Sequence, residues 1–369
     1  MTKKKAANCG VVALSGYEFQ RNCALYLLLD GYEHFREEDY FLCIEHYDDF
    51  LFCFRTNDTE RIKRIISYQA KKKSGALWRI DGDFGEILAK MLEAGAELKS
   101  DLIPKCDSYS QETIFISNTE LEFFYRPKAE EKDRGKEARN VLINEAHSYV
   151  KFDQLPGEIK EKACNYIQHF CDTHQLEDNM KGLSDVRFQW IDFQRTSKKQ
   201  KEGLVGLMQS NFSHIADPKA AIDVLLELFR EVETTFNQGN IVQLMDTSKR
   251  VEGEEIRKTM VILDTKQKTY DFWRDHSSSF VEQVNFPLKI RLKPEEHIGS
   301  TFELLKDMNN FSYQIIREYV KKNDYSSDHN SFHGMFNAYL SSIKLSHHTN
   351  LKDFDILLAI LCSFVEFHC

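Results

Sequence analysis

Between Tyr40 and Phe54 the chain is a run of Phe, Ile, Leu and Cys, broken only from Glu45 to Asp49. That pattern predicts two adjacent strands, over 40–46 and 49–55, joined by a tight turn that carries the acids. A third strand is predicted over 64–71, where Ile65-Ile66-Ser67-Tyr68-Gln69-Ala70-Lys71 favours extended backbone. Side chains alternate along a strand, so Gln69 and Lys71 share one face while Tyr68 and Ala70 take the other. Helical spacing predicts one helix from about Gly16 to Leu29, with Ser15 as its N-cap, and a second from Gly85 to Leu98. Thr113 to Asn118 reads as a further core strand that ends in a polar loop. The order is helix, three strands, helix, strand, which predicts a mixed sheet flanked by helices.

Beyond about residue 150 the pattern turns mostly helical. Leu155 to Cys171 and Pro218 to Phe236 have amphipathic spacing, and segments near 252–263, 301–321, 331–344 and 351–367 read as further helices. Val186 to Phe193 adds one strand, Arg195 to Lys201 reads as a basic polar linker, and the charged stretch 126–138 as an exposed loop or helix start. Ile356 to Phe367 is apolar but shorter than a membrane span, and reads as a buried C-terminal helix. These shifts predict a fold of the α/β (α+β) class in two domains, 1–150 and a mostly helical 151–369. No internal repeat or low-complexity tract interrupts them.

Charge narrows the partners. With a net charge of -9 and a pI near 5.9, the chain is no general nucleic-acid coat protein. Yet Arg61, Lys63, Arg64, Lys71, Lys72 and Lys73 fall within one short stretch, followed by Trp78 and Arg79. Such a cluster suits phosphates without reading sequence, so Arg61, Lys63, Arg64, Lys72 and Lys73 are the candidate DNA contacts. Nine cysteines without a C-x₂-C pair predict reduced thiols. With no signal-type segment or spanning run, the expected location is the cytoplasm, away from membranes. No Gly-rich loop ending in Gly-Lys-Ser/Thr is present, so no ATP hydrolysis is expected of this chain. His329 and His333 stand four apart, but no third ligand accompanies them.

The acids and the Gln69-x-Lys71 strand carry the candidate chemistry. A phosphodiester needs a cation to neutralise charge building on its oxygens and to acidify the attacking water. Hard cations such as Mg²⁺ or Mn²⁺ take oxygen ligands. Asp49 is the main candidate anionic ligand, with Asp48 the alternative, and Gln69 can add a neutral carbonyl oxygen. Lys71 can hold the attacking water and stabilise the phosphorane. Asp48 and Glu45 are spare acids beside them.

An acid on one strand, with an acid or amide two residues before a lysine on its neighbour, resembles the PD-(D/E)xK nuclease superfamily. Gln69 in the central position resembles the Mrr-type subgroup. The fuller order, Ser15-Gly16-Tyr17-Glu18-Phe19-Gln20, then Glu45 with Asp48-Asp49, then Gln69-x-Lys71, resembles the nuclease domain of the Cap-type effector of CBASS anti-phage systems. The same module recurs as the nuclease subunit of Lamassu and of nuclease–HerA systems. The resemblance spans roughly residues 10–120 and fades afterwards.

It implies a restriction-endonuclease-like core and a metal-dependent, sequence-indifferent cut of double-stranded DNA. It assigns Asp49, Gln69, Lys71 and the accessory acid Glu18 to catalysis. Its expected partners are an SMC-like ATPase with an accessory subunit, or a HerA-type ATPase, with a homo-oligomer as the active form. The cyclic-oligonucleotide sensor of the CBASS effector is not recognisable here, which favours control by partner subunits docked on the helical region 151–369. The competing expectation is an adaptor or DNA-binding subunit with a degenerate nuclease fold.

Overall fold

The computed structural model describes residues 9–57, 61–73, 76–133, 135–212, 215, 217–233, 243–281, 284, 286–307, 310–347 and 350–369. It divides into two compact units, one of residues 1–211 and 218–256, the other of 212–217 and 257–369.

The first unit opens with helix α1 (Cys9–Asp30) and a single turn, α2 (Tyr32–Phe35). Three strands follow, β1 (Tyr40–His46), β2 (Asp48–Arg55) and β3 (Ile62–Ala70), joined as an antiparallel meander. Helix α3 (Gly82–Ser100) then leads to β4 (Lys105–Ser117), which runs parallel to β3. A side hairpin of β5 (Leu121–Tyr125) and β6 (Arg139–Ile143) flanks the short helix α4 (Ala129–Asp133). Strand β7 (Tyr149–Lys151), helix α5 (Gly157–His174) and strand β8 (Val186–Trp190) complete this side. Helices α6 (Ser197–Asn211) and α7 (Pro218–Glu233) precede the two-residue strand β9 (Val251–Glu252). The result is a seven-stranded mixed sheet, ordered β7-β8-β4-β3-β2-β1-β9, between helices.

Alternation along the strands sorts the core into layers. Phe41, Cys43, Leu51, Cys53 and Ile65 pack with Leu98 of α3. The intervening Tyr40, Phe52 and Phe54 gather around Phe35 of α2, with ring centroids 4.8–5.7 Å from it. Phe84 and Leu88 of α3, Ile159 and Ile167 of α5, and Phe115 and Phe188 of the sheet form a second buried cluster. Each such side chain, fully buried, contributes roughly 1.5–3 kcal/mol.

Several expectations shift in detail. Helix α1 starts before Ser15, because residues 9–14 are apolar and carry the helix backwards. Ser15 is therefore no N-cap, and its hydroxyl instead accepts a hydrogen bond from Lys72. Helix α3 is capped by Asp81, whose carboxylate accepts from Phe84 N at 2.9 Å. The stretch read as a linker enters α6 at Ser197. The first unit extends past residue 150 because β7 and β8 belong to the same sheet as β1 to β4. Residues 234–236, expected to end α7, and His348 lie outside the described residues.

Helix α8 (Gly253–Phe280) starts in the first unit and continues into the second, where α9 (Leu288–Leu292), α10 (Pro294–Lys306), α11 (Phe311–Lys322), α12 (Phe332–Ser346) and α13 (Asp353–His368) follow in order. The segment 301–321, read as one helix, is two, with a break between Lys306 and Phe311. Ile356 to Val365 of α13 are buried together against Ile316, Val320 and Tyr339. Among the described residues no helix is long and apolar enough to cross a membrane.

Candidate functional site

The β1–β2 hairpin turns at Tyr47, with His46 paired to Asp48 across it. Glu45 and Tyr47 adopt left-handed backbone, at φ 53° and 60°. For non-glycine residues such conformations cost of order 1–3 kcal/mol each and persist only where the surroundings impose them. Asp101 anchors the Tyr47 side chain. Its Oδ2 accepts from the Tyr47 hydroxyl at 2.7 Å and from Leu244 N at 3.0 Å, and its Oδ1 from Ile103 N at 2.8 Å. Burial would raise the Asp101 carboxyl, but these hydrogen bonds outweigh it and hold it below its ordinary range.

Strand pairing then brings the motif together. Phe50 pairs with Tyr68 across β2 and β3, their rings stacked at 4.7 Å. One residue before Phe50, Asp49 meets the end of β3. The Asp49 carboxylate is buried, with 8% of the residue exposed. Its Oδ2 accepts from Ala70 N at 2.7 Å and lies 3.1 Å from Lys71 Nζ, which is 3.3 Å from Oδ1. The Gln69 amide also donates to it. Asp49, Gln69 and Lys71 therefore form one hydrogen-bonded group.

Asp48 and Glu45 add charge around it. Asp48 Oδ1 accepts from Asp49 N at 3.0 Å, while its Oδ2 is buried without a hydrogen-bond partner among the described residues. Desolvation, then mutual repulsion with Asp49, raises the Asp48 carboxyl. Desolvation also raises Asp49, against the pull of Lys71 and the donors on it. Glu45 is pushed up to about 7 by desolvation, then by Asp49 and Glu233. Three carboxylates thus share one lysine.

The other predicted residues divide. Glu18 on α1 accepts from the Ser197 hydroxyl at the start of α6. Its charge is felt at Lys72, which donates to Ser15 and lies over the Phe19 ring. Lys73 lies 4.7 Å from the centre of the Trp78 ring. Arg61, Lys63 and Arg64 are not brought to this group. They lie at the opposite end of β3, on the order of 20 Å from Gln69 at about 3.3 Å per residue. There Lys63 pairs with Glu38, and Arg64 stacks over Phe54 at 4.3 Å. Sequence reasoning missed Asp101, Ser197 and the Ala70 amide. A partner 54 or 179 residues away leaves no local signal.

No protein-family model matches the chain, and no curated protein does. Two solved structures are similar to it. One is the Moraxella osloensis Cap4 SAVED/CARF-domain containing receptor, at 11% identity over 68% of this chain and 46% of that one, with a TM-score of 0.33. The other is the Acinetobacter baumannii Cap4 SAVED/CARF-domain containing receptor with the cyclic trinucleotide 2'3'3'-cAAA, at 11% identity over 71% and 46%, also with a TM-score of 0.33. The chain spans less than half the length of either receptor. A likeness this faint transfers neither site nor ligand.

Proposed function

We propose that this chain is a metal-dependent endonuclease that cuts double-stranded DNA with little sequence preference, through Asp49, Gln69 and Lys71. The observation that carries the reading is their convergence into one hydrogen-bonded group at the end of β3, ringed by excess carboxylate. The donors fit Mg²⁺ or Mn²⁺, which take hard oxygens. The Asp48 Oδ2, buried without a hydrogen-bond partner among the described residues, is an oxygen of the kind such a cation takes. Among the described residues no three of His, Cys, Asp or Glu are grouped to hold a metal. The protein's share of the ligands is then one or two carboxylates, led by Asp49 with Asp48 or Glu45, plus the Gln69 oxygen, the usual share for Mg²⁺.

When bound, the cation supplies charge neutralisation at the phosphoryl oxygens and a more acidic attacking water. Lys71 places a fixed positive charge beside that centre, where it stabilises oxygens that gain charge in the transition state. Asp49 is held in position by Ala70 N, so little reorganisation precedes reaction. The accessory-acid role of Glu18 rests on the motif resemblance alone, for in the fold its carboxylate is held by Ser197.

Purified protein incubated with supercoiled plasmid and Mg²⁺ or Mn²⁺ tests this. Cleavage should vanish in EDTA and fall by about 10²–10³-fold in Lys71→Ala, with folding unchanged. Full activity in either condition would sink the site. The role as an anti-phage effector, with an SMC-like ATPase and accessory subunit or a HerA-type ATPase as partner, rests on the motif resemblance alone. Co-purification with the products of neighbouring genes tests it.

One observation favours a second reading, a DNA-binding adaptor. Asp49 is already engaged by Ala70, Lys71 and Gln69, as in a group kept for structure. DNA binding without cleavage under any divalent cation would select it.

A further inference from the structure

Arg195 to Lys201 read as a linker in sequence, but the fold fixes the backbone around them tightly. Phe193 packs its ring 6.3 Å from Phe19 and 5.1 Å from Tyr26 of α1. Asn118 Nδ2 donates to the carbonyls of Phe193 and Gln194, at 2.8 and 3.2 Å. Gln200, fully buried, donates to the Gln194 carbonyl at 2.7 Å and accepts from Asn22 at 3.0 Å. Ser197 donates to Glu18. Arg195, Lys198 and Lys199 are left exposed on this pinned segment.

The placement has a reason in the topology. Strands β3, β4 and β8 are parallel and end on the same side, the side where open α/β sheets take their ligands. Residues 71–73 leave β3 there, tied to the end of β4 by the Thr119 hydroxyl donating to the Lys73 carbonyl at 3.1 Å. Beside them opens a cavity of about 340 Å³, lined by Asn118, Gln194, Arg195, Thr196 and Lys199, with Asp192 its one carboxylate. Lys199 bonds Glu202 at 2.6 Å, but an exposed pair of this kind is worth little and exchanges readily for phosphate.

We propose that Arg195, Lys198 and Lys199, together with Lys72 and Lys73, form a track for the sugar–phosphate backbone of duplex DNA beside Asp49 and Lys71. The choice of duplex DNA rests on the nuclease reading above. The cations come from two segments far apart in sequence and converge at the carboxyl ends of the parallel strands. A polyanion is the partner whose charge complements that convergence.

Equilibrium binding of an arbitrary DNA duplex in EDTA, over a salt series, tests the track apart from cleavage. In the variant R195A/K198A/K199A, binding should weaken at least about tenfold whatever the sequence, and the salt slope should fall by roughly 2–3. The equally charged control K90A/K132A/K151A, at exposed lysines elsewhere in the same unit, should leave both unchanged. Equal losses in the two variants, or no loss in the first, would overturn the track and leave the nuclease reading standing. Binding lost for single strands or RNA but kept for duplex DNA would overturn the duplex assignment. Track-dependent binding without metal-dependent cleavage would support the track and sink the nuclease reading. Failure of the unmodified protein to bind any duplex would overturn both.

Discussion

Glu45 and Asp48 sit where the fold works against their ionisation, and the consequence for stability has a definite sign. Both carboxyls are raised above their ordinary values, so folding favours their protonated forms. That contribution is full below the ordinary carboxylate values and is lost as pH climbs from them to the raised ones, about 7 for Glu45 and about 8 for Asp48. His46, pushed down to about 4 by burial, acts in the opposite sense, but only below its ordinary value near 6.5. Between pH 6.5 and 8 the carboxylates therefore dominate, and the metal-free protein should lose thermal stability across that window. Mn²⁺ should restore it, because binding the folded state at about 100 times Kd adds roughly 2.7 kcal/mol. We expect the Mn²⁺-induced rise in Tm to be several degrees at pH 8 and near zero at pH 5. Asp48→Asn should raise the metal-free Tm at pH 8 and shrink the Mn²⁺ response. A Tm indifferent to Mn²⁺ at every pH would dissociate these acids from any cation.

At the scale of elements, close packing of α3 on α5 sets a limit that one glycine reports. A methyl group on Gly85 would lie 2.6 Å from Tyr166 Cβ and 3.0 Å from its backbone carbon, closer than real Cβ contacts. Backbone cannot yield as a flexible side chain does, so Gly85→Ala should cost about 1–3 kcal/mol, read as a lower denaturation midpoint with unchanged m-value. The neighbouring Gly82, with nothing near its methyl position, is the control and should tolerate Ala. Elements such as these were legible where the pattern was local. The run from Tyr40 to Phe54 and the Ile65 to Lys71 strand declare their period and their turn, and the pairing of Phe50 with Tyr68 brings Asp49 to the Ala70 amide and Lys71. What sequence could not separate was the basic stretch. Arg61 and Lys72 are near in sequence, but an extended strand carries them to opposite ends of the sheet. Nor could it place α6, whose polar first turn, Ser197 to Gln200, hides a fully buried glutamine bonded to Asn22 across 178 residues.

For the whole molecule, the division of the chain makes a claim about which pieces fold. The composition shift near residue 150 suggests a boundary there, yet β8 pairs with β4 over Thr113 to Ser117 and supplies Val186 and Phe188 to the cluster around Phe84 and Phe115. Helix α5 contributes Ile159, Ala163 and Ile167 to the same cluster. A fragment ending at 150 would leave the β4 edge unpaired and those aromatic faces in water, where an exposed edge invites association. The unit boundary near residue 256 instead keeps β9 on β1, and with it the double hydrogen bond from Arg55 Nη2 to Glu252, at 2.8 and 3.0 Å. It also keeps Leu244 N on Asp101, which holds the strained Tyr47 turn beside Asp49. We therefore expect residues 1–256 to unfold in one cooperative thermal transition and residues 1–150 to aggregate or show none. If nuclease activity belongs to this unit, the 1–256 fragment should also retain Mn²⁺-dependent cleavage that Lys71→Ala removes. A cooperative, soluble 1–150 fragment would place the boundary where the composition shifts and would show the later strands to be an addition to a core already complete without them.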